Sequence, residues 1–180
     1  MQSVSLDFKQ NFFQLFGLPE SYRLDNAQLD RQYHALQTQV HPDKFTHLPE
    51  TERRLSMQWA TRVNEAYQTL RSPVARARYL LLLRGVDTQE ETNTAMPMDF
   101  LTEQMEWREA IEEVQQSGEI AELDKLETRL MHETRALHER LAVGIDDEHD
   151  YAAAAEGVRK LRFLEKLAEE IASVFDALDT

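Results

Sequence analysis

Apolar residues recur at every third or fourth position along most of the chain, which is the spacing of amphipathic α-helices. The two clearest stripes consist of Leu29, Tyr33, Leu36 and Val40, and of Leu55, Trp59, Val63, Ala66, Tyr67 and Leu70. No stretch shows the strict alternation of apolar and polar residues that is typical of a half-buried strand. The pattern therefore predicts an all-α protein.

Helix-breaking residues divide the first part of the chain into four predicted helices. These are residues 11–16, stopped by Gly17 and Pro19; a second helix capped by Asp25 or Asn26; a third over residues 49–72; and a fourth over residues 75–84, ended by Gly85. The second helix must end at about Val40, because Pro42 has no N–H and pushes His41 out of the α region. Two long helices joined by so short a loop should pack antiparallel.

The second part of the chain predicts a separate helical domain. Residues 86–95 are polar and are interpreted as a linker. Helices are predicted at about 98–116, 119–142 and 147–178, with breaks at Gly118 and Gly144 and a cap at Asp146 or Asp147. Leucines at positions 123, 130 and 137 form a seven-residue repeat, which favours an antiparallel three-helix bundle. The predicted boundaries are 1–84 for the first domain, 85–96 for the linker and 97–180 for the bundle.

Composition and charge narrow the classes of function. The chain has no cysteine, which excludes disulfides and thiolate-bound metal sites. Residues 1–75 hold 8 basic and 8 acidic side chains, whereas residues 76–180 hold 12 and 25, so the net charge of −13 lies in the second part. An acidic chain is a poor ligand for nucleic acid or anionic membranes, and a protein partner is expected. Without a signal sequence or an apolar run that could span a membrane, the chain is predicted to be cytoplasmic.

The corner His41-Pro42-Asp43, followed by Lys44, is the strongest candidate for a functional site in the first domain. It places a titratable ring and a carboxylate on a stiff loop between two helices, where they add little to a core and can contact a partner. Taken alone, the tripeptide favours an ordinary helix-Pro-helix turn that carries solvated side chains, so the flanking sequence has to decide between the two interpretations.

Several motifs together resemble a J domain and, beyond it, one J-type family. The J-domain motifs are residues 11–18, Tyr33, Leu36, the His41-Pro42-Asp43-Lys44 loop and Asn64-Glu65-Ala66-Tyr67-Gln68-Thr69-Leu70. The rest is similar to the HscB family of iron-sulfur cluster co-chaperones in Pro73-x-x-Arg76-Ala77-x-Tyr79-Leu80-Leu81, in Phe100-Leu101-x-Glu103-Gln104-x-Glu106-x-Arg108-Glu109, and in Val158-Arg159-Lys160-Leu161-Arg162-Phe163-Leu164. Motifs that agree in order and spacing make this resemblance specific.

The resemblance implies a co-chaperone that is not itself an enzyme, with two protein partners and no cofactor or metal. One partner is a DnaK-class ATPase chaperone of the HscA type, and the other is a cluster scaffold of the IscU type. The resemblance implies that Asp43 offers a carboxylate to an arginine of the chaperone, that Pro42 sets the loop, and that His41 orients the contact. The chaperone-binding residues would be His41, Pro42, Asp43, Lys44, Arg31 and His34. J domains usually carry several basic residues on the second helix, but here the segment after Arg31 is nearly neutral, so electrostatic steering should be weak.

A second candidate surface lies on the bundle. Phe100, Trp107, Ile111 and Val114 form the core stripe of its first helix, and Leu101 and Met105 point some 100 to 140° away from it at about 100° per residue. Phe163 also lies off the stripe predicted for the last helix, which consists of Leu161, Leu164, Ala168, Ile171 and Phe175. The plainer interpretation buries Leu101 and Met105 against another helix or the J domain. The resemblance implies instead that Leu101, Thr102, Met105, Glu106, Glu109, Glu113 and Phe163 bind the scaffold.

Two other functions remain open at this point. A general J-domain co-chaperone could use the bundle for a different client or for dimerisation. A metal-dependent enzyme could use His34, His41, Asp43 and His47, whose side chains suit zinc or iron.

Overall fold

The structure, a computed structural model, describes residues 6–90 and 96–179. Over these residues it contains seven α-helices and no strand, which confirms the predicted all-α class. The helices are α1 (Phe12–Leu15), α2 (Asn26–Val40), α3 (Glu50–Arg71), α4 (Pro73–Leu83), α5 (Met98–Ser117), α6 (Ile120–Ala142) and α7 (Tyr151–Leu178). The chain divides into two compact units, Met1–Leu80 and Leu81–Thr180.

The first unit is built on the antiparallel pair α2 and α3. The Tyr33 ring stacks on the Tyr67 ring with a centroid distance of 3.9 Å, and the Tyr67 hydroxyl donates to Asp30 at 2.9 Å. Between them the helices bury Leu29, Leu36, Val40, Trp59, Val63, Ala66 and Leu70. The predicted pairing is confirmed, with one error in the stripe of α3. Leu55 is 46% exposed, and its neighbour Ser56 is buried in its place.

Helix α1 closes one end of this core. Asn11 caps it by accepting from the Gln14 amide, and Gly17 ends it with a φ of +64° that glycine adopts without strain. Phe13 is fully buried, and the Phe12 amide donates to the Tyr79 hydroxyl at 3.0 Å. Burial raises the pKa of that hydroxyl.

A buried arginine ties α4 to the end of α3. Arg76 is 7% exposed, and its guanidinium donates to the Leu70 carbonyl at 2.6 Å and to the Tyr22 carbonyl at 2.8 Å. The C-terminal carbonyls of a helix have no partner within the helix, so this contact satisfies one of them. Arg76 therefore holds α4 and α3 together.

The second unit is the predicted three-helix bundle. Its core includes Leu123, Leu130 and Leu137, and Trp107 lies beneath the Arg129 guanidinium at 4.3 Å from the ring centroid. The predicted end of α6 at residue 142 is confirmed, but the chain does not break at Gly144. The chain continues through a π-helical turn, Val143–Asp147, and reverses at His149, whose φ is +54°. Helix α7 then starts at Tyr151 with Asp150 as its cap, and not at Asp146 or Asp147.

The buried face of α7 also differs from the predicted stripe. Ala168 is exposed and Phe175 is only partly buried, whereas Leu167 and Val174 are buried. The whole buried set is Ala154, Ala155, Val158, Leu161, Leu164, Leu167, Ile171 and Val174. A single straight stripe does not describe this helix.

The predicted linker, residues 85–96, is described up to Glu90 and at Met96, and residues 91–95 lie outside the described part. Within it, Thr88 is 2% exposed. Its backbone carbonyl accepts a hydrogen bond from the Arg159 guanidinium of α7 at 3.0 Å. This stretch is held against the bundle at that point.

Candidate functional site

The His-Pro-Asp loop, His41–Asp43, is exposed and conformationally fixed. Helix α2 ends at Val40, and Pro42 opens a short 3-10 turn, Pro42–Phe45, in which the Lys44 amide donates to the His41 carbonyl at 3.0 Å. The Thr46 hydroxyl adds a hydrogen bond to the Asp43 carbonyl at 3.3 Å. The loop therefore presents its side chains from a defined backbone.

The base of the loop is attached to α3 by a buried hydroxyl. Ser56 donates to the Val40 carbonyl at 2.8 Å, and its side chain is 5% exposed. Val40 is the last residue of α2, so its carbonyl lies at a helix end that needs an outside partner. Ser56 thus ties the end of α2, which Pro42 sets, to α3. Sequence reasoning missed this residue because a serine beside an apolar stripe carries no distinctive signal.

The backbone amide and the carboxylate of Asp43 both lie close to one ring nitrogen of His41. Nδ1 of His41 accepts from the Asp43 amide at 3.3 Å, and a carboxylate oxygen of Asp43 lies 3.6 Å from the same atom. An accepting Nδ1 requires that a neutral ring carries its proton on Nε2. The Asp43 side chain is 86% exposed, so its carboxylate is available to an arginine or lysine of a partner.

The other predicted chaperone-binding residues are exposed on α2 and in the 3-10 turn. Arg31 and His34 are exposed on α2, and Lys44 is exposed in the 3-10 turn. Arg31 is the only lysine or arginine of α2. Of the basic residues on α3, Arg62 is turned inward, where it donates to the Gln10 carbonyl at 2.7 Å.

The predicted bundle face is exposed on α5. Leu101 is 37% and Met105 64% exposed, so neither is buried against another helix in this structure. The Thr102 hydroxyl donates to the Met98 carbonyl of the preceding turn. Glu106, Glu109 and Glu113 are exposed on the same helix. We use "bundle face" for Leu101, Thr102, Met105 and Phe163 with these three glutamates.

Phe163 reaches the face from α7 and rests on the core. It is partly buried, and its ring meets Phe100 edge to face at a centroid distance of 5.4 Å. Lys160, one turn earlier, places its ammonium 5.3 Å from the centroid of the same Phe100 ring. Phe100 is 3% exposed, so it forms a rigid support beneath an accessible aromatic edge.

The structure adds two residues to the surroundings of this face. Met98, 77% exposed, precedes Leu101 and Met105 at helical spacings of three and seven, a signal that the sequence contained. Lys160 had no such signal, because its contact with Phe100 depends on how α5 and α7 pack.

The described residues do not assemble the alternative metal site. Within residues 6–90 and 96–179, no three His, Asp or Glu side chains are placed to hold a metal ion. None of the helices in the part of the chain that the structure describes has the length and hydropathy needed to cross a bilayer.

Comparison with known proteins gives the family. Residues 11–79 match the family model of the DnaJ domain, and residues 96–172 match that of the "HSCB C-terminal oligomerisation domain". A co-chaperone protein HscB homolog of Aromatoleum aromaticum is 56% identical over 98% of this chain and 100% of its own length. The chain belongs to the HscB family. A second HscB homolog, of Azoarcus sp., is 52% identical over 98% of the chain and 99% of its own length.

Solved HscB structures have the same fold. The chaperone HscB of Vibrio cholerae is 39% identical and superposes with a TM-score of 0.89, covering 93% of this chain and 99% of its own. The human co-chaperone HscB is 31% identical, with a TM-score of 0.87 and coverage of 93% and 83%. The resemblance found in the sequence is confirmed, and the protein is an HscB-type co-chaperone with a J domain and a C-terminal HscB domain.

Proposed function

We propose that this HscB protein stimulates an HscA-type chaperone through its His-Pro-Asp loop and delivers an IscU-type iron-sulfur cluster scaffold through its bundle face. The co-chaperone performs no catalysis in this scheme, since hydrolysis of ATP belongs to the chaperone. We place this role in the cytoplasm, the compartment expected from the sequence.

The observation that carries the proposal is an exposed apolar group on α5, beside Phe163 and close to three exposed carboxylates. Leu101 and Met105 are accessible, whereas the core stripe of α5, Phe100, Trp107, Ile111 and Val114, is buried. Apolar anchors surrounded by charged residues are typical of protein-docking surfaces. The family then supplies the partner that this surface fits.

The loop supports the first half of the proposal. Ser56 and the 3-10 turn hold the backbone, while the side chains of His41 and Asp43 remain 51% and 86% exposed. A carboxylate on a fixed backbone binds a chaperone arginine at a smaller ordering cost than one on a mobile loop. The contact would favour the chaperone conformation that hydrolyses ATP. Its binding free energy would thereby shift the equilibrium between the two conformations of the chaperone.

Variants of the loop test the chaperone contact. His41→Gln and Asp43→Asn should abolish stimulation of the chaperone ATPase and leave the melting temperature nearly unchanged, because these exposed side chains contribute little packing. His47→Gln is the matched control, since this histidine is also exposed but lies outside the tripeptide. Full stimulation by both loop variants would contradict the assignment.

Variants of the bundle face test the scaffold contact. Leu101→Ala with Phe163→Ala should weaken scaffold binding at any salt concentration, because truncation of a desolvated anchor typically costs more than ~1 kcal/mol. Glu106→Lys with Glu109→Lys should slow association in a salt-dependent way. The matched controls are Ile120→Ala with Met131→Ala, which are 44% and 60% exposed on α6.

Each outcome separates this proposal from the nearest alternative. The proposal of two partners is supported if the bundle-face variants lose scaffold binding but still stimulate the chaperone in the absence of scaffold. A general J-domain co-chaperone with another client would stimulate the chaperone but bind the scaffold no better than its face variants do.

A further inference from the structure

A groove on the bundle lies between the C-terminal part of α6 and the N-terminal part of α7. It has a volume of about 740 Å³. Its floor is apolar, since Leu137, Leu141 and Ala154 line it and are between 2% and 4% exposed. Val143 and Ala153 line it from exposed positions. The bundle therefore presents an apolar depression to solvent in addition to the bundle face.

The groove is uncovered because α5 begins beyond it. Phe100 lies in the first turn of α5 and contacts Lys160 and Phe163 of α7. Apart from Lys160, the groove residues of α7 lie between positions 153 and 157, before that level of the helix. Among the described residues, none from α5 lines the groove. Two helices of the bundle thus extend past the third and leave the apolar seam between them accessible.

Small residues on α7 give the groove its depth. Gly157 lines it, and a Cβ at this position would lie 2.8 Å from Cδ2 of Leu141. Leu141 therefore packs directly on the α7 backbone, and a side chain at position 157 would force it to shift. Ala153, one turn earlier, adds only a methyl group. This part of the α7 wall consists of backbone and a methyl group, which leaves room for the side chains of a partner.

Lys160 joins the groove to the bundle face. It lines the groove, and its ammonium lies 5.3 Å from the centroid of the Phe100 ring. The Phe100 ring in turn meets Phe163 of the bundle face at a centroid distance of 5.4 Å. The groove therefore starts next to the aromatic part of the bundle face, and a partner bound to that face has the groove within reach.

The rim of the groove carries more acidic than basic side chains. The charged residues that line it are four acidic ones and two basic ones, namely Glu139, Glu148, Asp150 and Glu156, and Arg140 and Lys160. The rim therefore has a net charge of −2. The bundle face is also acidic, through its three glutamates. Neighbouring surfaces of the same charge attract the same class of partner, which here is a protein segment with basic residues.

We propose that the groove is a second subsite for the IscU-type scaffold, and that it binds a scaffold segment in which an apolar side chain neighbours a lysine or arginine. The apolar floor receives the first side chain and the acidic rim the second. The volume of about 740 Å³ lies within the range of roughly 300–1,000 Å³ that is typical of ligand pockets, so a few side chains fit. The inference rests on the proposed function, because it assumes that the scaffold binds the bundle face.

Filling the groove tests the apolar part of the contact. In the full-length chain, Ala153→Trp directs a large ring into the groove from an exposed position and leaves the buried floor unchanged. Purified scaffold should then bind at least about fivefold more weakly, because a desolvated apolar anchor typically contributes a factor of this size. Ala152→Trp is the matched control, since Ala152 is also exposed but lies about 100° around the same helix.

Reversing one charge on the rim tests the acidic part of the contact. Glu139→Lys should lower scaffold affinity about threefold at low salt and less at high salt, as expected for an exposed charge at the rim of an interface. Glu127→Lys is the matched control. It is exposed on the same helix and gives the same net charge, but it lies about 18 Å away from position 139 along α6.

A cysteine at position 153 shows whether the scaffold enters the groove. The chain has no cysteine of its own, so Ala153→Cys and Ala152→Cys each carry a single thiol. Alkylation by iodoacetamide is followed by mass spectrometry of the co-chaperone. Saturating scaffold should slow the alkylation of position 153 and leave that of position 152 nearly unchanged. If Ala153→Trp lowers the melting temperature, the smaller Ala153→Cys substitution carries the test.

The outcomes separate the groove from the bundle face. The proposal is supported if Ala153→Trp weakens scaffold binding, Ala152→Trp does not, and the thiol at position 153 is protected. Equal effects at positions 152 and 153, unchanged affinity of Ala153→Trp or an unprotected thiol at position 153 would each overturn it. If Leu101→Ala with Phe163→Ala loses scaffold binding while Ala153→Trp keeps it, the bundle face stands and the groove does not. If the wild-type chain binds no scaffold, the proposed function fails and this inference fails with it.

Discussion

Removing the Ser56 hydroxyl tests how the His-Pro-Asp loop is held. In Ser56→Ala the Val40 carbonyl loses its donor at a buried position. The Lys44 amide, which would follow in a continued helix, already donates to the His41 carbonyl, and Pro42 has no N–H to offer. The carbonyl therefore has no obvious replacement.

The expected cost follows from two opposing effects. An unsatisfied buried polar group costs roughly 1–3 kcal/mol. Alanine is a better helix former than serine by about 0.5 kcal/mol, and this gain offsets part of the loss. The net loss should be roughly 1–2 kcal/mol, which for a unit of this size lowers the melting temperature by roughly 4–16 °C.

Denaturant unfolding followed by tryptophan fluorescence measures this loss. The chain has two tryptophans, so a Trp107→Phe background leaves Trp59 as the reporter of the first unit. Thr61→Ala is the matched control, because the Thr61 hydroxyl donates to the Met57 carbonyl of its own helix at an exposed position. If Ser56→Ala is no less stable than Thr61→Ala, the hydroxyl does not hold the loop and the reasoning fails.

Three further predictions test the packing and the electrostatics of the first unit. Arg76→Met should cost about 2–4 kcal/mol in denaturant unfolding, because two buried carbonyls lose a charged donor. Burial raises the pKa of Tyr79, so the folded state keeps this proton longer than the unfolded state, and stability should fall as the pH rises above about 10. A Tyr79→Phe variant should lose less stability between pH 9 and pH 11, as measured by melting temperature. The co-chaperone concentration that gives half-maximal ATPase stimulation should rise only mildly between low and physiological salt, because Arg31 is the only basic residue of α2 besides histidine. A steep rise would indicate that basic residues outside α2, such as Arg53 or Arg54, attract the chaperone.

Most of the helices could be predicted from the sequence, because helix-breaking residues and apolar periodicity depend on residues only a few positions apart. Pro42 ends α2 whatever the rest of the chain does, and predicted core residues such as Leu36 of α2, Trp107 of α5 and Leu130 of α6 are buried. Periodicity also predicted that Leu101 and Met105 are exposed, since their side chains project from α5 at a large angle to its core stripe. The loop and the exposed part of the bundle face could therefore be located from sequence.

The largest error concerned α7, whose buried face shifts around the helix along its length. In α7 the buried positions Ala154, Val158, Leu161, Leu164, Leu167, Ile171 and Val174 follow one another at a mean spacing below 3.6 residues, so the buried face turns by roughly 160° along the helix. The later part of α7 packs beside α5, as the contact of Phe163 with Phe100 illustrates. The Arg159–Thr88 contact and the exchange of Leu55 for Ser56 likewise depend on tertiary packing, which periodicity does not encode.

Two exposed methionines on α5 make the surface around the bundle face sensitive to oxidation. Met98 and Met105 are 77% and 64% exposed, so their thioether sulfurs are accessible to peroxide. Oxidation converts a flexible apolar side chain into a polar sulfoxide, and methionine sulfoxide reductases reverse the change. An oxidised surface would lose apolar contact while Leu101 and Phe163 remained intact. Scaffold affinity before and after mild peroxide treatment, compared with a Met98→Leu and Met105→Leu chain, would measure how far docking depends on the oxidation state of these two sulfurs.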